Sequence, residues 1–285
     1  NTPTESTTRK HPSVESSQSS QINQDISDST KERTNIATAA VLTTTTTATI
    51  MMKLHVMHPS ANNQSAIACA LALMEDDTSG TFKVELVDVF MKTRTDEYKK
   101  ICPVGISPCL ELSDGSTTSI WESNTIMRYL CDVTAKNSEL SRQLYPSDIV
   151  QRAKINMVLD WRQCDFYPKL PDIAYIMFGM PNDDVKAKSS FKDLQDKVFP
   201  TLIDVFLDGG SSPFIYGDDV TIADLSVALP LAYIKARPKF WDAVPQRIKE
   251  YHERVKSKFP HANPSFDSLA AIYDSFSGDG RDLEP

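Results

Sequence analysis

Polar and apolar positions divide this chain into three regions. Up to about residue 50 it is mostly Ser, Thr, Asn and Gln, with a threonine run from Thr43 to Thr47 and no aromatic side chain. Such a segment buries too little apolar surface to offset the entropy of ordering, so residues 1–52 are expected to form a disordered tail or leader. Regular patterning starts at Lys53. Leu54, Val56 and Met57 predict a short strand that stops at His58-Pro59-Ser60. From Ala61 to Met74, Ala, Ile, Cys and Leu recur at helical spacing and predict an amphipathic helix. After Gly80, alternation around Val84, Leu86 and Val87 predicts a second strand over Phe82–Val89, parallel to the first. A polar segment, Lys92 to Lys100, then leads into Ile101–Leu130. That stretch holds a turn from Gly105 to Pro108, a short apolar strand, an Asp114-Gly115 turn, a second short strand, and Glu122-Ser123 opening a helix to about Asp132. The order β-α-β then β-β-α predicts a small mixed sheet with helices on it, over 53–134.

Beyond Ala135 the pattern changes. Residues 135–147 read as a polar linker, and 148–260 as an all-helical domain. Its helices are expected over about Asp148–Phe178, interrupted near Pro168 and Pro171, and over Asn182–Leu207, Ile222–Ile234 and 240–258. Thr221-Ile-Ala-Asp224 has capping-box spacing, with Val220 and Leu225 as its hydrophobic staple. Residues 261–285 are expected to form a tail.

Composition narrows the function classes. A net charge of −8 argues against a nucleic-acid binder, which needs a basic face. No apolar run approaches the length of a membrane span. The five cysteines are scattered and none is spaced Cys-x-x-Cys, which suggests free thiols in a reducing compartment and neither a zinc ribbon nor a redox dithiol. His55 and His252 have no partners at metal-ligand spacing, so no metal is expected. Two strands running into a helix N-terminus can hold a small anion, through strand-edge main chain and unpaired helix N–H groups. Function should therefore be sought in Ile101–Leu130.

Three motifs carry a family resemblance. They are Cys102-Pro-Val-Gly-Ile-Ser-Pro108-Cys-Leu110, Glu122-Ser123-Asn-Thr-Ile126 followed by Tyr129-Leu130, and Thr221-Ile-Ala-Asp224. In this order and spacing the chain resembles the cytosolic glutathione transferases, closest to the serine-using theta, delta and phi type. The resemblance implies a thioredoxin-like mixed sheet with helices followed by an all-helical domain. It implies glutathione as co-substrate, a hydrophobic electrophile as the second substrate, a homodimer, and a cytoplasmic location. An organellar location stays open if the tail is a targeting leader.

The same resemblance assigns roles. Pro108 would be a cis-proline exposing the main chain of Ser107 to the cysteinyl unit of glutathione, as an added strand does. Glu122 and Ser123 would bind the γ-glutamyl end, Glu122 favouring its ammonium and Ser123 its carboxylate. Ser60 would donate its hydroxyl to the glutathione sulfur and favour the thiolate, the sulfur being the nucleophile. Asn62, Asn63 and Ser65 are neighbours able to take over that role, and an ordinary N-cap is the alternative for Ser60 itself. Lys92 or Arg94 would pair with the glycyl carboxylate, or else be solvated loop charges. His58, Trp161, Arg162, Asp165 and Phe166 would wall the electrophile pocket. Thiol transfer is disfavoured because a cysteine would then stand at Ser60, and Cys69 lies well down the helix. A non-catalytic interaction or ligand-binding protein of the same fold is the second reading.

Overall fold

The computed structural model describes residues 49–112, 119–174, 181, 183–260 and 282–285. Four described strands, β1 (Ile50–Val56), β2 (Phe82–Asp88), β3 (Cys109–Glu111) and β4 (Ser119–Trp121), form one sheet in the order β2-β1-β3-β4. β1 and β2 are parallel, joined through α1 (Ala61–Asp76), while β3 is antiparallel to both β1 and β4. This is the thioredoxin-like arrangement that the resemblance implies. β1 begins at Ile50, ahead of the expected Lys53, because Met51 and Met52 pair with Lys83 and Val84 and Met52 is buried. The pairing comes from thirty residues downstream, so the polar run before it hides the strand's start. The rest of the expected tail, residues 1–48, lies outside the described residues, as do the Asp114-Gly115 turn, residues 175–180, Asn182 and residues 261–281.

Three expectations for where the helices begin and end need correction. The short α2 (Asp96–Lys99) interrupts the polar segment before the site, its first turn capped by Thr95. The expected linker 135–147 contains α4 (Glu139–Leu144), which follows α3 (Ser123–Thr134). A single side chain from α1 makes it possible: Asp76 accepts from Ser138 Oγ at 2.6 Å and from Leu140 N at 3.0 Å, and Ser138 in turn caps Ser141 N. The helix expected over 240–258 is two, α9 (Pro238–Asp242) and α10 (Gln246–Lys258), parted at Pro245, which has no N–H to continue the first.

The other helices follow the pattern more closely. α5 (Ile149–Trp161) starts at Asp148, whose carboxylate accepts from Val150 N and Gln151 N. It loosens through a π turn at Arg162–Phe166 and a 3-10 turn at Tyr167–Lys169 before α6 (Leu170–Ala174), where Pro168 and Pro171 remove donors. α7 (Asp184–Asp193) runs on through π turns to Phe206.

α8 (Ile222–Leu231) is the hub of the helical half, and every one of its residues is buried. α1 is buried on both faces as well, against the sheet and against α8, and so is not the amphipathic helix its sequence suggests. Even Asn63, Gln64 and Ser65 are buried, and Ser65 Oγ bonds Leu225 O across the two halves. The capping box of α8 forms as expected, with Thr221 Oγ1 accepting from Ala223 N and Asp224 accepting from Thr221 N at 2.8 Å. No described helix is long and apolar enough to cross a membrane.

A buried histidine adds a pH dependence to this core. His252 on α10 donates its Nδ1–H to Ala228 O at 2.8 Å, and burial holds its pKa down to about 4. The folded state therefore favours neutral imidazole, and its contribution to stability is complete above the ordinary value of 6.5 and lost as pH falls from there through 4. Asp224 works in the opposite sense, its buried carboxyl raised to about 6. The His252→Gln variant isolates the first effect. Its stability in urea should fall less between pH 7 and pH 5 than that of the unaltered chain, by about 2 kcal/mol. Parallel curves would mean that His252 titrates normally.

Candidate functional site

The sheet register brings the expected binding residues to one end. β1 finishes at Val56, and its neighbour His55 pairs with Cys109, the first residue of β3. Ser107 and Pro108, just before β3, therefore lie beside the chain that leads to Ser60. Cys109 also pairs with Trp121, the last residue of β4, so Glu122 and the start of α3 lie next to Pro108. β2, parallel to β1, ends at the same edge, with Val89 N bonded to Val56 O and Lys92–Arg94 just beyond. Four chain segments distant in sequence thus meet at one sheet end.

The Gly105–Pro108 turn is held rigidly. Gly105 has φ 64°, and a Cβ there would sit 2.8 Å from Thr93 O, so only glycine lets the two loops close. The same close approach leaves the Arg94 guanidinium beside this turn, 3.5 Å from that Cβ position. Tyr98 donates its hydroxyl to Ile106 O at 2.8 Å. The Ser107–Pro108 peptide is cis, as expected. Among the described residues neither the N–H nor the C=O of Ser107 is hydrogen-bonded, and its hydroxyl is buried without a partner. Glu122 is exposed and takes φ 71°, a conformation strained for any residue but glycine. It caps α3 through its carbonyl only, its carboxylate making no bond among the described residues, while Ser123 is buried at the first helical position.

Ser60 stands at the N-cap of α1 with extended backbone, φ −96° and ψ 123°, and its side chain makes no capping bond. Of the three neighbours able to replace it, only Ser65 has its donor engaged, while Asn62 and Asn63 are bonded through their amide oxygens and Asn63 Nδ2 has no partner among the described residues. Asn62 receives a hydrogen bond from Arg162, Asn63 accepts from Met57 N at 3.0 Å, and Ser65 Oγ donates to Ala61 O at 3.1 Å. Tyr233, far along the chain, reaches this turn: its hydroxyl accepts from Ala61 N at 2.8 Å and donates to Pro59 O at 3.2 Å. Sequence reading missed Tyr233 entirely. No local spacing connects residues 172 positions apart.

The expected electrophile pocket is not assembled as foreseen. His58 and Asp165 are exposed, but Arg162 and Phe166 are buried, with relative exposures of 0% and 1%. Arg162 donates from Nε to Ser226 O and from a terminal nitrogen to Asn62, and its guanidinium lies 4.0 Å over the Tyr167 ring. These bonds tie α5's extension to α8 and α1. Trp161 stacks on Phe166 and meets Phe206 edge-on at 4.8 Å. Arg162 and Phe166 thus build the helical core instead of lining an open pocket, and Trp161 is half-buried with them. Among the described residues no group of three or more His, Cys, Asp or Glu side chains gathers to hold a metal ion. A cleft of about 770 Å³ between α4, α5 and the Ile215–Thr221 segment contains none of the expected site residues.

Comparison with known proteins agrees with this architecture. Residues 172–276 match the glutathione S-transferase C-terminal domain family. The chain is 30% identical over 140 residues to glutathione S-transferase 2 of Anopheles gambiae, across 49% of this chain and 61% of that protein. It is 28% identical over 181 residues to elongation factor 1-gamma 2 of Oryza sativa subsp. japonica, across 60% of this chain and 38% of that protein. It therefore spans less than two thirds of the length of either relative. A delta-class glutathione transferase of Nilaparvata lugens superposes with a TM-score of 0.59 at 25% identity, covering 79% of this chain and 99% of that one.

Proposed function

We propose that the chain is a glutathione transferase of the cytosolic glutathione S-transferase family, joining the glutathione sulfur to electrophilic organic compounds. The observation that carries this reading is the meeting of Ser60, the Ser107 main chain and the Glu122-Ser123 helix start at one sheet end. Extended glutathione would pair its cysteinyl backbone with the unbonded Ser107 edge. Its γ-glutamyl carboxylate would sit on the N-terminus of α3 and its ammonium beside the Glu122 carboxylate. Arg94, drawn against the Gly105 turn, is the better of the two candidates for the glycyl carboxylate. Ser60 is the donor to the sulfur, since its hydroxyl stands in the turn with no capping bond, whereas Ser65 is bonded into α1. Nothing in this arrangement suits thiol transfer: Cys69 is buried in α1 against Cys131. A homodimer fits the exposed apolar side chains of α5, Val150 and Met157.

Similarity to an elongation factor 1-gamma subunit favours one other reading, a non-catalytic association module of the same fold. Retention on immobilised glutathione together with turnover of an aryl halide separates the two. Failure of both sinks the enzyme reading and leaves the module.

The conformation of Glu122 gives a sharper test of the binding role. Glu122→Gly removes the charge-assisted bond to the ligand's ammonium, which corresponds to about 10- to 100-fold in glutathione affinity. The same change relieves backbone strain of about 1–3 kcal/mol, less about 1 kcal/mol for glycine's greater freedom when unfolded. Weaker binding with equal or higher thermal stability is the expected pair of results. Undiminished affinity would remove Glu122 from the site.

A further inference from the structure

We infer that Tyr233 is a positioning residue for Ser60, an inference that rests on the role just proposed for that serine. The phenol oxygen bonds Pro59 O and Ala61 N. The first belongs to the peptide that precedes Ser60 and the second to the peptide that follows it. One side chain therefore grips both peptide planes flanking Ser60, fixing its φ and ψ and with them the direction of its Cα–Cβ bond.

The Ser60 side chain makes no capping bond, so its hydroxyl is not turned into the helix end. Tyr233 is itself well held. It is 2% exposed, in the 3-10 turn Ala232–Ala236 that continues α8, whose start is fixed by the capping box. The helical half thus sets the aim of a hydroxyl that belongs to the sheet half. Catalytic hydrogen bonds lose effect with small displacements, so the aim matters as well as the hydroxyl.

A buried tyrosine also bonds merely to satisfy its own hydroxyl, so the test needs a readout that packing alone does not move. Tyr233→Phe should keep glutathione retention, lower kcat/KM near neutral pH by about tenfold, and recover turnover at alkaline pH as the bound thiol's pKa rises. In a Ser60→Ala background the same change should add nothing. An unshifted pH profile for Tyr233→Phe, or an equal further loss without Ser60, overturns the inference while leaving the proposed function standing. If the unaltered chain neither binds glutathione nor turns over an aryl halide, the proposed function falls and this inference with it. Should Tyr233→Phe fail to fold, amide exchange on the unaltered chain decides. The Ala61 amide must be protected despite its place at the start of the helix, and rapid exchange there overturns the inference.

Discussion

Asp224→Ala should destabilise the fold by about 3–5 kcal/mol, several times the loss of an ordinary helix cap. Its carboxylate accepts from Ile215 N and Thr221 N, each at 2.8 Å, and from Thr221 Oγ1 and Tyr251 Oη, each at 3.1 Å. Only the two bonds to Thr221 belong to the capping box. Those from Ile215 and Tyr251 bolt the segment before α8 and helix α10 onto the same oxygen. Ile215 and Tyr251 are buried, so alanine leaves their donors unpaired out of reach of water, at about 1–3 kcal/mol each. A typical domain has about 5–15 kcal/mol in all, so the variant should unfold far earlier in urea or accumulate poorly. Thr221→Ala, which removes only the cap, is the control and should cost about 1 kcal/mol. Equal losses for the two variants would show that the longer-range bonds contribute nothing.

That contrast also marks what the sequence could reveal. The Thr221–Asp224 cap was legible because its partners are three residues apart. The Pro108 turn and the Glu122-Ser123 helix start were legible as motifs, and the strand register then brings them to one edge. The tie from Asp76 that folds α4 out of an apparent linker spans more than sixty residues and leaves no periodic trace. Arg162 and Phe166 were misread for a related reason. Aromatic and cationic residues at helical spacing suit a pocket wall and a core equally, and the Ser226 carbonyl and Asn62 amide decide for the core. Sequence specified most of the local elements, and long-range polar bonds specified the rest and much of which side chains remain free.

Ser60 is where that distinction has its largest effect on activity. Ser60→Ala should lower kcat/KM for an aryl halide at pH 7 by about 25-fold on the proposed function, with glutathione affinity little changed. The size follows from ionisation. A free thiol of pKa about 8.5 is only about 3% thiolate at pH 7, whereas one lowered by about two units is about three-quarters thiolate. Such a shift corresponds to about 2.7 kcal/mol, within reach of one well-aimed hydroxyl acting with the N-terminus of α1. Losing the hydroxyl should return the thiol toward its free value, so activity should climb steeply again between pH 8 and 9. Stability separates this role from the plain N-cap that any serine before a helix suggests. A capping serine replaced by alanine costs about 1 kcal/mol, but the Ser60 side chain makes no capping bond, so Ser60→Ala should unfold within about 0.5 kcal/mol of the unaltered chain. A stable variant with its pH profile moved about two units upward is the expected result. A destabilised variant with an unmoved profile would make Ser60 a cap and leave the sulfur's donor to be sought elsewhere in the turn.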